Sequence, residues 1–146
     1  MGLQKIDFGV AQLLRPIQWF NQIDPRDPLA LTNGVYAMLI RYYFKNNTNL
    51  WLWSLYGNQK PGGFGLFDSS KTKTEWGGRF QFLVPKGEWG LTYHYRTTDF
   101  TENTLIDYVG ESPEYRLGLD AKWDLGIGLW TESTYIKRTQ PIGLFK

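Results

Sequence analysis

The chain contains no cysteine, a single histidine, and no apolar run near the ~20 residues that a membrane-spanning helix needs. Without thiols there is no disulfide framework and no thiolate metal site. A balance of 16 basic against 14 acidic residues exerts no strong pull on nucleic acid or anionic lipid. Residues 1–10 carry Lys5 and Asp7 and form no apolar segment of the kind that directs secretion. With a mean hydropathy of -0.40, hydropathy alone describes a soluble protein. A length of 146 residues suits one domain, residues 1–146, with a modest core.

The residues present in quantity argue otherwise. Aromatic side chains make up 17% of the chain, and 16 glycines accompany them. Aromatics favour strands, and glycine marks turns, bulges and close backbone approach, so this mixture fits twisted β-structure. Alternation of apolar and polar residues with turn punctuation predicts strands at 4–13, 35–44, 50–57, 74–84, 88–96, 114–123 and 127–138, and the tail from 139 opens an eighth. The connections alternate in length. Tight turns at 45–49, 85–87 and 124–126 carry the Asn, Pro and Gly that such turns need. Long segments at 14–34, 58–73 and 97–113 separate them. Short turns at one end and long loops at the other is the pattern of outer-membrane barrels.

The faces segregate. Around Pro85 one face reads Trp76, Gly78, Phe80, Phe82, Val84, Trp89, Leu91, Tyr93 and Tyr95. Placing Phe82 opposite Trp89 keeps both faces whole and sets Trp76 across from Tyr95, Gly78 beneath Tyr93 and Glu75 across from Arg96. A three-residue turn with a glycine bulge at Pro85-Lys86-Gly87 would shift that parity. In the last hairpin, Trp123 opposite Ile127 brings Tyr115 against Tyr135. In the first, Tyr36, Met38, Ile40, Tyr42 and Phe44 share a face with Trp51, Trp53 and Leu55, which leaves Leu50 and Leu52 on the polar side.

Aromatics on the apolar face gather at strand ends, a membrane belt of Phe44, Trp51, Phe82, Trp89 and Trp123 near the turns and Tyr36, Trp76, Tyr95, Tyr115 and Tyr135 near the long loops. Ile40, Leu55, Leu91, Leu117 and Leu119 lie between them. Amphipathic rings settle at headgroup level, so two belts flanking an aliphatic band suit a strand crossing a bilayer. From Tyr115 to Trp123 a strand covers roughly 26 Å, and tilting it leaves a height of about 20 Å, near that of an outer-membrane apolar band. The alternative is a soluble barrel with the same apolar face turned inward around an apolar ligand, which alternation by itself does not exclude.

The chain resembles porin-like outer-membrane barrels, particularly the alginate-export-like group. The resemblance rests on this pattern and on Gly2-Leu3-Gln4-Lys5-Ile6-Asp7-Phe8-Gly9, similar to a Gly-x-Gln strand ending in an aromatic and glycine. The Asp/Pro-rich Asn21-Gln22-Ile23-Asp24-Pro25-Arg26-Asp27-Pro28 follows it. The end, Leu144-Phe145-Lys146, lacks the terminal aromatic such barrels use for assembly. Bacterial barrels have an even strand count, so the chain is expected to be an internal or incomplete part of a larger barrel.

If the aromatic face meets lipid, Arg41, Glu75, Arg79, His94, Arg96, Glu114, Arg116, Asp120, Lys122 and Glu132 line the lumen, as a charge filter or as cross-strand ladders. His94 has a second reading as the general base of an outer-membrane hydrolase with Asp99 or Ser112, although no Gly-x-Ser-x-Gly sequence accompanies it. A calcium site at Asp24 and Asp27 and a phosphate loop at Gly62-Gly63-Phe64-Gly65 are weaker than turn and loop-tip readings. Asn46-Asn47-Thr48 matches a glycosylation sequon that carries no meaning in a bacterial barrel turn.

These features together lead to an all-β, antiparallel up-and-down transmembrane β-barrel in the bacterial outer membrane. Its expected role is that of a porin-like channel passing small polar or anionic solutes. No enzyme activity, cofactor or metal is expected, and the partners are the lipid bilayer and the solutes rather than nucleic acid.

Overall fold

The computed structural model describes residues 2–11, 15–20, 34–59, 65, 67–101 and 110–139. Within them the chain forms eight antiparallel strands and no helix: β1 (Gly2–Gln4), β2 (Val35–Tyr43), β3 (Asn49–Leu55), β4 (Asp68–Ser69), β5 (Glu75–Val84), β6 (Gly87–Asp99), β7 (Glu111–Asp124) and β8 (Gly128–Arg138). They build one sheet in the order β1-β2-β3-β5-β6-β7-β8, with β4 paired to the far end of β6. The sheet is open: β1 and β8 are its two edges and do not pair.

The β5–β6 hairpin has the expected register, Phe82 opposite Trp89 and Trp76 opposite Tyr95. Its loop is two residues, Pro85 and Lys86, because Val84 pairs Gly87. Lys86 takes the left-handed conformation (φ 61) that a three-residue loop would have assigned to the glycine. Gly78 lies opposite Tyr93, as expected.

The other two hairpins correct the sequence reading. In β7–β8 the three loop residues are 125–127, not 124–126, with Gly126 at φ 89. Trp123 therefore faces Leu129, and Tyr135 faces Leu117 rather than Tyr115. A slip of two residues preserves every face, so the error is invisible to alternation. In β2–β3 the loop is closed by Phe44 N–H donating to Thr48 O (2.8 Å), with Asn47 at φ 60. Tyr43 then pairs Asn49 and Arg41 pairs Trp51. This parity puts Trp51, Trp53 and Leu55 on the face of Arg41 and Ala37, and sends Leu50 and Leu52 to the face of Ile40 and Tyr42. Both assignments reverse the expectation, and Trp51 leaves the proposed belt.

The first strand, expected at 4–13, is misplaced and overlaps the observed one only at Gln4. Among the described residues of the N-terminal segment, Gly2–Gln4 alone pairs, against Val35–Ala37. Beyond it the chain leaves the sheet, passes through Gly9 at φ 108 and a turn at Pro16-Ile17, and lies across the concave face. There Ile6, Phe8, Ile17, Trp19 and Phe20 join Val35, Ala37, Trp53 and Leu55 in the hydrophobic core. Period-2 alternation in residues 4–13 reflects Ile6 and Phe8 dipping inward one after the other, not a ladder. This core explains the poor alternation of the first hairpin. β2 and β3 are apolar on both faces, since their concave side meets the N-terminal segment.

The two faces of the sheet differ in polarity. Tyr36, Met38, Ile40, Tyr42, Leu52, Trp76, Leu91 and Leu117 are exposed on the convex side, while Arg79, His94, Arg96, Glu114, Arg116 and Asp120 are buried on the concave side. At the end of β6 Asp99 accepts from Thr101 N (2.9 Å) and Thr101 Oγ1 (2.5 Å).

Candidate functional site

The concave faces of β5, β6, β7 and β8 form a wall of charged side chains. Strand alternation delivers Glu75, Arg79, His94, Arg96, Glu114, Arg116, Asp120 and Glu132 to one side of the sheet, and the registers align them in rows. Arg41 and Lys122 also lie on this side but are exposed; the Arg41 guanidinium sits 4.0 Å above the Trp51 ring. The expected lumen residues thus share one face.

Their partners differ from simple cross-strand pairs. Glu75, expected to pair Arg96, is instead 3.1 Å from His94 Nε2. Trp53 Nε1 donates to His94 Nδ1 (3.3 Å). An indole N–H only donates, so Nδ1 is the acceptor and Nε2 carries the proton toward Glu75. Both ring nitrogens are thereby committed, and Trp19 and Phe20 pack on the imidazole (centroids 6.1 and 4.9 Å). Asp99 bonds Thr101, and Ser112 Oγ donates to Thr139 O, so neither stands with His94 as a nucleophile–base pair. The imidazole is a buried strut between β3 and β5.

Glycine makes these reaches possible. Trp53 on β3 crosses β5 at Gly77, where a Cβ would lie 2.8 Å from its Nε1 and 2.3 Å from Tyr93 O. Arg79 on β5 crosses β6 at Gly90, and reaches Asp120 on β7 with Nη1–Oδ1 2.5 Å and Nη2–Oδ2 2.8 Å. Thr92 accepts a further bond from Arg79 Nη1 (3.0 Å).

Farther toward the long loops, Glu114 collects three arginines. Its Oε1 accepts from Arg96 Nε and Arg116 Nε, each at 2.6 Å, and its Oε2 from Arg138 Nε. Arg138 carried no role in the sequence reading. Its inward position follows from the β7–β8 register, which sets it opposite Glu114.

The N-terminal segment is fastened to this wall. Arg79 lies over the Phe8 ring (5.1 Å), Ala11 N–H donates to Glu132 Oε1 (2.5 Å), and Asp7 pairs Arg15 (2.6 Å). Ile17 and Trp19 rest above Gly118, where a Cβ would come within 2.9 and 3.2 Å of them. Sequence reasoning missed this segment; Gly9 and Pro16, both poor residues for a strand interior, were the available signal. Among the described residues a cleft of about 470 Å³ opens beside Trp19 toward Trp130 and Ile136.

On the convex side the aromatics expected to form the belts touch one another in part. Trp76 meets Tyr95 (5.7 Å) and Tyr95 meets Tyr115 (5.3 Å) near the long loops; Trp89 meets Trp123 (5.7 Å) near the turns. Phe44 stands in its turn against Tyr42 (4.7 Å), and Phe82 neighbours Phe80 (5.7 Å). Tyr36 and Tyr135 are exposed. Leu55, expected in the aliphatic band, is buried on the other face. Among the described residues no cluster of His, Cys, Asp or Glu suits a metal ion. Asp24, Asp27 and Gly62-Gly63-Phe64 lie outside the described residues. Comparison with protein-family models, curated proteins and solved structures finds no match.

Proposed function

We propose that the chain is part of the wall of a bacterial outer-membrane β-barrel, and that small polar or anionic solutes pass passively along its concave side. One observation carries this reading: most of the exposed aliphatic and aromatic side chains lie on the convex face, with Tyr43, Leu83, Trp130 and Ile136 on the other, while the ion pairs are buried on the concave side. In water such a face is an aggregation or binding surface; against lipid tails it costs nothing to leave it there. Closed strands are the only β-structure that satisfies its backbone within a bilayer, so the open edges at β1 and β8 are read as positions where the barrel continues. A lumen filled partly by the N-terminal segment, with a cleft beside it, favours a narrow path over a wide one. The soluble alternative needs the apolar belt of Tyr36, Met38, Ile40, Trp76, Leu91 and Leu117 turned inward, and those side chains are exposed on the face away from the core and the ion pairs.

The test uses variants that keep one tryptophan, Trp76 on the convex face or Trp53 on the concave face, refolded into vesicles with bromine-labelled lipid tails. Trp76 is expected to be quenched strongly and Trp53 not. Equal, weak quenching with a monomeric chain in buffer would overturn the membrane reading. Discrete conductance steps in planar bilayers then test passage: quenching without conductance would retain the wall and reject the channel.

A further inference from the structure

Arg96 and Arg116 border a cavity of about 30 Å³ inside the concave face, roofed by Trp19 and Phe20 and flanked by Ser69, Glu75 and His94. Both arginines are almost wholly buried, at 3% and 2% exposed. Arg96 spends Nε on Glu114 and Nη1 on Ser69 Oγ (3.0 Å); Arg116 spends Nε on Glu114. The Nη2 atom of each is buried and has no acceptor. A charged donor left without a partner in a low-dielectric site is the kind of orphan that calls for a missing acceptor.

Among the described residues, the carboxylates beside the cavity are engaged elsewhere. Both oxygens of Glu114 are taken, Oε1 by Arg96 and Arg116 and Oε2 by Arg138. Glu75 is engaged by His94 Nε2. His94 cannot carry a second proton while its Nδ1 accepts from Trp53, so it adds no charge. Among the described residues lining the cavity, two guanidiniums, Arg96 and Arg116, therefore face one carboxylate, Glu75, an excess of one positive charge there, while Glu132, whose Oε2 has no partner, lines the neighbouring cleft with Arg116.

We infer that this cavity binds one small monovalent anion, of chloride size, between the two free Nη2 atoms. A halide accepts N–H bonds from any direction and cancels the excess charge. A water molecule satisfies a donor but cancels nothing. The space exceeds the roughly 10–15 Å³ that one water-sized occupant needs and excludes phosphate or a carboxylate-bearing solute. The Trp19 and Phe20 rings above it disfavour an ion that keeps its hydration shell. The site is set by the wall itself and stands independently of whether solutes cross beside it.

Crystals of the detergent-solubilised protein, grown with bromide as the sole halide at about 0.15 M, near physiological ionic strength, test this by anomalous scattering. One peak is expected in the cavity within hydrogen-bond reach of Arg96 and Arg116 Nη2, and it is expected to vanish in Arg116→Gln. Ordered water without an anomalous peak in the wild-type protein overturns the inference, as does a peak that persists undiminished in Arg116→Gln. If that variant does not fold, the wild-type map alone decides.

Discussion

Arg79 on β5 and Asp120 on β7 meet in a two-pronged ion pair across the strand between them, and Gly90 on β6 is the gap they meet through. A Cβ at Gly90 would lie 2.2 Å from Arg79 Nη2. The obstacle is the far end of a flexible side chain, so Arg79 is able to yield, at the expense of its aligned geometry with Asp120.

Gly90→Ala is therefore expected to destabilise the folded chain by about 1–3 kcal/mol, the range for a disturbed but not deleted buried interaction. Gly77→Ala is expected to cost more, because its Cβ would strike the backbone oxygen of Tyr93 at 2.3 Å, which has nowhere to go. Gly128→Ala meets nothing within 4 Å and serves as the control. Urea unfolding in vesicles, followed by gel mobility of unheated samples, ranks the three. Equal stability of Gly77→Ala and Gly128→Ala would contradict the packing described.

The same pair gives a double-mutant test. Removing one partner strands a buried charge, so Arg79→Met or Asp120→Leu alone is expected to cost about 3–5 kcal/mol. The combined variant is expected to regain most of that loss, since the desolvation cost of both charges disappears with their attraction. Additive losses would mean that the two side chains do not share one interaction in solution.

The parts of this fold that the sequence discloses are those set by local rules. The β5–β6 register follows from Phe80, Phe82, Trp89 and Leu91 needing one face, and the polar wall follows from the intervening residues. Two kinds of feature stay hidden. Loop length sets hairpin parity, and nothing in Lys45-Asn46-Asn47-Thr48-Asn49 distinguishes a loop that keeps Trp51 outward from one that turns it inward. The N-terminal segment is hidden for a different reason: Ile6 and Phe8 satisfy strand alternation equally well while joining the core, Phe8 against Trp53 and Trp19. Reaches across a strand, such as Trp53 over Gly77, are tertiary events with no sequence period at all. The same holds for Glu114 gathering Arg138, which waits on the exact β7–β8 register.

The convex face makes a prediction that separates lipid from water. Leu117 is half exposed in the middle of β7. In a bilayer, Leu117→Arg is expected to destabilise by about 2–4 kcal/mol, the penalty for a guanidinium near the midplane of a barrel wall. The same change on a water-facing surface falls within ±0.5 kcal/mol or so. Arg placed at Tyr36, at the belt, is expected to cost less than at Leu117, because the penalty falls toward the interface. Unfolding midpoints in vesicles give the comparison, and equal, negligible effects at both sites would remove lipid from the convex face.

The N-terminal segment links stability to passage. Phe8 lies among Trp19 (6.2 Å), Phe20 (6.1 Å) and Trp53 (5.6 Å), beneath the Arg79 guanidinium. Phe8→Ala opens a cavity in this cluster and is expected to cost about 3–5 kcal/mol. It also loosens the segment that covers the charged wall. If that segment narrows the path, single-channel conductance rises in Phe8→Ala and stays unchanged in Leu3→Ala, whose side chain is exposed on the opposite face. The two readouts are separable. A fall in stability with unaltered conductance would leave the segment as core packing and move the solute path elsewhere. A rise in conductance in Phe8→Ala without one in Leu3→Ala identifies residues 5–11 and 15–20 as part of the constriction.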